Sequence, residues 1–223
     1  GNWFERRTMA GMGEAAIVAA QIRRVRRRYR IDHGRVLVAG ISAGGALAAV
    51  LGVRYPKLIS AVAVHSGLAC GAASSALTAL SIMARGPDQD VEAIGAEARL
   101  ADAPHDVRVP LLAIHGAGDE IVAPRNAVAL VRQFLRLNGH PAAAGGDATI
   151  PPVADVERTD ALADGRRVVV REWRRDGRLV ARHVEVVGLG HAWSGGDASL
   201  KFNDPAPPDA TALIVDFFAD AVS

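Results

Sequence analysis

The sequence predicts an α/β domain with a mostly parallel sheet flanked by helices. Short apolar runs of strand length alternate with longer stretches of helical period, the order that builds parallel sheets. The runs are continuous rather than alternating, as expected of strands covered on both faces. Several close in His or Gly, at the strand ends where α/β sheets collect functional groups.

Residues 13–30 read as the first helix, with Ala15, Ala16, Ile17, Ala19, Ala20, Ile22 and Val25 on its apolar face. Asp32-His33-Gly34 breaks it, and 35–40 form a short strand. A helix over 43–54 ends near Tyr55-Pro56. Ile59–Val64 is a buried strand closed by His65-Ser66-Gly67. Residues 72–106 carry only a weak helical pattern. Val109–Ile114 is a third strand, closed by His115-Gly116. Pro124–Asn138 reads as a helix, with Pro in its first turn and Asn-Gly after it. Residues 140–165, rich in Ala, Gly, Pro and Asp, read as a long surface loop. Arg167–Trp173 and Arg178–Val187 form a hairpin about Asp176-Gly177, and Asp209–Ala221 is a closing helix.

No internal repeat or linker divides residues 1–223, and half of the 223 residues are hydrophobic, enough for one domain with a sizeable core. Net charge is +2, and of 26 basic residues only Lys57 and Lys201 are lysines. The dense run Arg23, Arg24, Arg26, Arg27, Arg28, Arg30 interleaves with Ile22, Val25 and Tyr29 at helical spacing. It reads as a solvated helix face, not as a nucleic-acid or membrane footprint. Cys70 is the only cysteine, which excludes an intramolecular disulfide and a cysteine-based metal site. His33, His105, His140 and His183 show no ligand spacing, so no metal is expected. No stretch approaches the roughly 18 apolar residues of a membrane span. The sequence begins Gly1-Asn2-Trp3 without Met, so a start further upstream is expected.

The chemistry concentrates in Gly40-Ile41-Ser42-Ala43-Gly44, a G-x-S-x-G pentapeptide between a strand and a helix. That context suits a nucleophile elbow: a strained turn lifts the serine above the sheet, and the glycines admit close backbone packing. The helix N-terminus beneath favours developing negative charge, and the N–H of Ala43 is an oxyanion donor candidate. A serine hydroxyl needs a base, and the base an orienting acid. Asp119, in His115-Gly116-Ala117-Gly118-Asp119, follows one strand; its rival use is to cap the turn after Gly118, and Glu120 is the rival acid. His191, in Gly188-Leu189-Gly190-His191, follows another. His115 is expected to shape the acid loop; His65, which also ends a strand, either is structural or approaches the site.

With these segments the chain resembles the poly(3-hydroxybutyrate) depolymerase family of esterases, relatives of feruloyl and acetylxylan esterases. The resemblance rests on Gly40–Gly45, on Gly188-Leu189-Gly190-His191-Ala192-Trp193-Ser194-Gly195-Gly196, and on Asn2-Trp3-Phe4 and His65-Ser66-Gly67. Asn203-Asp204-Pro205 and Pro208-Asp209-Ala210 extend it over nearly the whole chain. It implies an α/β-hydrolase fold, no cofactor, and a triad of Ser42, Asp119 and His191. It also implies a small-molecule or polymeric ester as substrate, and secretion. Trp193 either lines the substrate pocket or packs under the His191 loop. The sequence departs from the family at its front, where the family's first strands, including one that supplies an oxyanion donor, are lacking. Truncation and an open edge beside strand 35–40 are therefore expected. Three readings follow: a depolymerase-like esterase on short-chain polyhydroxyalkanoate or its oligomers, a feruloyl or acetylxylan-type esterase, and a non-catalytic fragment.

Overall fold

A computed structural model describes residues 2–88, 90–101, 106, 108–143 and 147–222. His105, among the histidines read above, lies outside the described residues. Helices α1 (Arg6–Met9) and α2 (Gly13–Arg28) lead into strand β1 (Leu37–Ile41), helix α3 (Ala43–Arg54) and strand β2 (Ala61–His65). Helices α4 (Ala76–Arg85) and α5 (Val91–Ala101) follow, then β3 (Leu111–Gly116) and α6 (Arg125–Leu137). A 3-10 turn (Pro141–Ala143) precedes β4 (Val156–Ala161), β5 (Arg167–Arg175) and β6 (Arg178–Val186). Short β7 (Trp193–Ser194) and β8 (Asn203–Asp204) precede α7 (Ala210–Ala221).

The main sheet has the order β1-β2-β3-β6-β5-β4. Its first four strands are parallel, and β5 and β4 continue antiparallel. Successive side chains of a strand point to opposite faces. Thus Val62, Val64, Leu111 and Ala113 join one core layer with α3 and α6 residues such as Val50 and Phe134. Ala61, Ala63, Leu112 and Ile114 join a second layer with Ile214 and Phe217 of α7. Helices on both faces bury β2 and β3 completely, which explains their unbroken apolar sequences. Beyond β1, no further strand pairs with the sheet among the described residues.

The structure corrects the sequence reading in one place. Residues 140–165 are not wholly loop, because β4 crosses them and pairs with β5 from Val156↔Glu172 to Ala161↔Arg167. All six residues of β4 are exposed, so backbone pairing and not an apolar pattern makes it a strand. The weakly patterned stretch 72–106 contains α4 and α5. Helix α4 starts at a capping box in which the Ser75 hydroxyl takes the Thr78 N–H and Thr78 returns the bond. The hairpin turn is as expected: Asp176 and Gly177 have φ of 53° and 76°, the left-handed pair that matches strand twist.

Candidate active site

Three loops at the C-terminal ends of parallel strands converge. The first joins β1 to α3 at Ser42, whose φ of 54° and ψ of −118° are strained for a residue with a Cβ. The turn is held from both sides: the Ser42 N–H donates to the His65 carbonyl at 2.9 Å, and the Ser42 carbonyl accepts the Ala46 N–H at 2.9 Å. The two glycines of the pentapeptide are not equivalent. A Cβ on Gly40 would lie 2.4 Å from the backbone of Gly44, whereas one on Gly44 would meet nothing within 4 Å. The second close approach belongs to Gly45, where a Cβ would stand 2.9 Å from Val64.

Ser42 occupies the N-cap of α3 but makes no side-chain capping bond. A serine there ordinarily gives its oxygen to the first turn. Here Oγ lies 3.1 Å from Nε2 of His191 instead. Ala43 heads the helix, where first-turn N–H groups lack intrahelical acceptors.

The second loop follows β3. Asp119 is buried, whereas Glu120 beside it is exposed. The two carboxylate oxygens of Asp119 divide the work. Oδ1 accepts the N–H groups of Ile121 at 3.0 Å and Val122 at 2.8 Å, and Oδ2 accepts Nδ1–H of His191 at 2.8 Å. The turn-capping use and the histidine-orienting use of Asp119 therefore coexist. Burial opposes the charge of Asp119, but the bonds from His191 and Val122 outweigh it and hold the carboxyl below its usual range.

His115 supports this loop from beneath. Its Nε2 donates to the Val122 carbonyl at 2.7 Å and lies 3.5 Å from Asp119 Oδ2. Burial pushes its pKa down, which keeps the ring neutral. The acid loop is stitched to the histidine loop by Gly118 N–H to Leu189 O at 3.0 Å. Gly116 permits this approach, because a Cβ there would meet the Leu189 carbonyl at 2.2 Å.

The third loop follows β6 and carries His191, with 8% of its side chain exposed. Trp193, just beyond, is half-buried and stacks on His65 with ring centroids 5.3 Å apart and planes at 23°. His65 itself is fully buried; burial first, then the charges of His115 and His191, push its pKa to about 3. Phe202 was not singled out by the sequence reading, yet its ring stands edge-on to His191 at 6.1 Å. Only its place in the Asn203-Asp204 neighbourhood gave any signal. No group of three His, Cys, Asp or Glu side chains among the described residues gathers to hold a metal ion. No described helix is long and apolar enough to cross a membrane.

Comparison with known proteins finds similar esterases. The chain is 32% identical over 140 residues to poly(3-hydroxyalkanoate) depolymerase C of Paucimonas lemoignei, covering 62% of this chain and 34% of that protein. It is 31% identical over 133 residues to feruloyl esterase B of Neurospora crassa, covering 57% of this chain and 46% of that one. The chain thus spans about a third to a half of the length of these curated relatives. An acetyl xylan esterase from Aspergillus awamori shares the fold, with a TM-score of 0.69 over 97% of this chain and 72% of that one at 20% identity. With that likeness, the mixed sheet flanked by helices is an α/β-hydrolase fold. The sequence model of the family described as Esterase PHB depolymerase matches residues 1–153, a span that includes Ser42 and Asp119. On that match, over more than half of its length, the chain belongs to the Esterase PHB depolymerase family.

Proposed function

We propose that this protein is a serine carboxylester hydrolase that works through an acyl-enzyme. One observation carries the reading: Ser42, His191 and Asp119 form an unbroken hydrogen-bonded line, with the serine hydroxyl withheld from its helix cap. Asp119, kept ionised, holds the Nδ1–H tautomer of His191, so that Nε2 faces Ser42 as a base. As Oγ attacks the ester carbonyl carbon, its proton passes to Nε2. The carbonyl oxygen takes up the negative charge and is met by the Ala43 N–H at the positive end of α3. The intermediate collapses, the C–O bond to the alcohol breaks, and His191 returns the proton to the departing oxygen. Water, deprotonated by the same Nε2, then attacks the acyl-serine ester; the bond to Oγ breaks, and His191 returns the proton to Ser42 as the acid leaves.

The substrate proposed is a short-chain polyhydroxyalkanoate or its soluble oligomers, supported by family membership and by likeness to a depolymerase. A second reading, a feruloyl-type ester on polysaccharide, is supported by likeness to feruloyl esterase B. Relative rates on hydroxybutyrate trimer and methyl ferulate separate the two.

An active-site fluorophosphonate should label Ser42, and Ser42→Ala should lower hydrolysis of p-nitrophenyl butyrate by about 10⁴- to 10⁶-fold. Undiminished hydrolysis by a folded Ser42→Ala variant overturns the mechanism. No labelling and no hydrolysis by the unsubstituted protein favours a non-catalytic role.

A further inference from the structure

Phe202 combines three properties that rarely occur together. Its φ is +59°, a left-handed backbone that is an outlier for a bulky side chain. It is 61% exposed, so core packing does not account for the ring. The exposed ring nevertheless stands against one particular group, the His191 imidazole, at 6.1 Å and 80°.

The backbone at Phe202 is fixed from several directions. Its carbonyl accepts the Trp193 N–H at 2.7 Å, at the start of the parallel pairing of β7 with β8. Gly196 N–H donates to the Asp204 carbonyl at 3.0 Å, and Arg166 clamps the Asp204 carboxylate at 2.9 Å while also reaching the Pro207 carbonyl at 3.2 Å. Such over-determination is what allows a strained conformation to persist, and strained residues cluster where ligands bind. Glycine or asparagine would relieve the strain and give up only the covered part of a largely exposed ring.

We propose that Phe202 is a specificity residue whose ring forms the apolar wall for the alcohol side of the bound ester. This rests on the hydrolase reading above. The alcohol side follows from proton geometry: Nε2 of His191 must hand its proton to the leaving oxygen from hydrogen-bond distance. The departing alcohol therefore lies beside the imidazole that Phe202 flanks. Esters of alcohols with an apolar or aromatic body gain contact with the ring, and those of very small alcohols do not.

The test uses Phe202→Gly, with Phe202→Asn as a second left-handed-tolerant variant and Phe202→Tyr to restore the ring. For benzyl and ethyl butyrate, the ratio of kcat/KM values should fall about fivefold in Phe202→Gly and Phe202→Asn, in line with the loss of one aromatic contact. It should return in Phe202→Tyr, and the melting temperature of Phe202→Gly should equal or exceed that of the unsubstituted protein. An unchanged ratio, a shift in an ethyl acetate-to-hexanoate series instead, or a lowered melting temperature overturns the assignment. Fluorophosphonate labelling of the unsubstituted protein distinguishes the two failures. Labelling with an unmoved ratio sinks only the role of Phe202, and absent labelling sinks the hydrolase reading beneath it.

Discussion

The two halves of the main sheet are built on different principles. Strands β2 and β3 in the parallel half are wholly buried and carry no charge, since burial keeps His65 and His115 neutral. Every residue of the proposed triad leaves a strand of that half at its C-terminal end. The antiparallel half, β5 and β4, is laced with charge: Arg171 pairs with Glu157 at 2.8 Å and Glu185 at 2.9 Å, and Glu172 with Arg182 at 2.7 Å and Arg174 at 2.9 Å. Burial works against the charge of Glu172, yet these two arginines hold its carboxyl below the usual range. The difference shows where tight tolerance is required. The covered half holds the turn around Ser42 by close backbone packing, whereas the charged half satisfies its partly buried charges by pairing them with one another.

The largest effect should come within the covered half, at Gly40. Gly40→Ala drives a Cβ into the Gly44 backbone and should cost about 3 kcal/mol in denaturant unfolding, together with ester hydrolysis. Gly44→Ala, with open space around it, should stay within about 0.5 kcal/mol of the unsubstituted protein. Equal losses at both positions would remove the distinction drawn between the two glycines.

The shared strand β6 supplies the next test. His183 lies there, fully buried, with neither ring nitrogen hydrogen-bonded among the described residues. Burial first, then the charges of Arg171 and His115, push its pKa to about 3. The unfolded chain takes up a proton near pH 6.5 that the folded protein refuses until about pH 3. Stability therefore falls on acidification through that window, by about 1.4 kcal/mol per pH unit from this residue. His183→Leu should flatten the pH dependence of the unfolding free energy by that amount; an unchanged slope between pH 6 and 4 (roughly the steepest part of the window) would show that the imidazole finds a partner.

The smallest effect belongs to the charged half. Arg158→Ala removes a half-exposed pair with Asp160 at 3.1 Å and should change stability by less than about 0.5 kcal/mol. A loss of several times that would mean that the rim pairs act as a cooperative network.

Legibility followed the same division. Strands β2 and β3 were readable because burial on both faces forces unbroken apolar runs, and β6 because Asp176-Gly177 marks its hairpin with β5. Strand β4, Val-Glu-Arg-Thr-Asp-Ala, buries nothing and exists only through its bonds to β5, so composition disguised it as loop. Helix α4 was faint because Leu77 and Leu80 face solvent, 81% and 66% exposed, which blurs its apolar stripe. In the site, Ser42, Asp119 and His191 were legible because each sits in a local turn with a glycine that the backbone requires, Gly40, Gly116 and Gly188. Phe202 was not, because nothing in its own neighbourhood says that a histidine lies across from it.

The sequence alone determined which residues end which strands, and in what order the nucleophile, acid and base candidates follow one another. Those properties depend on turn chemistry and hydrophobic period, which act over a few residues. Only the tertiary structure decided that β6 inserts beside β3 and that Gly45 rather than Gly44 meets the sheet. It alone also stacked Trp193 on His65 and brought the Ser42 hydroxyl within 3.1 Å of a histidine 149 residues away. Such contacts depend on the packing of both core layers at once, and no local stretch of chain encodes that.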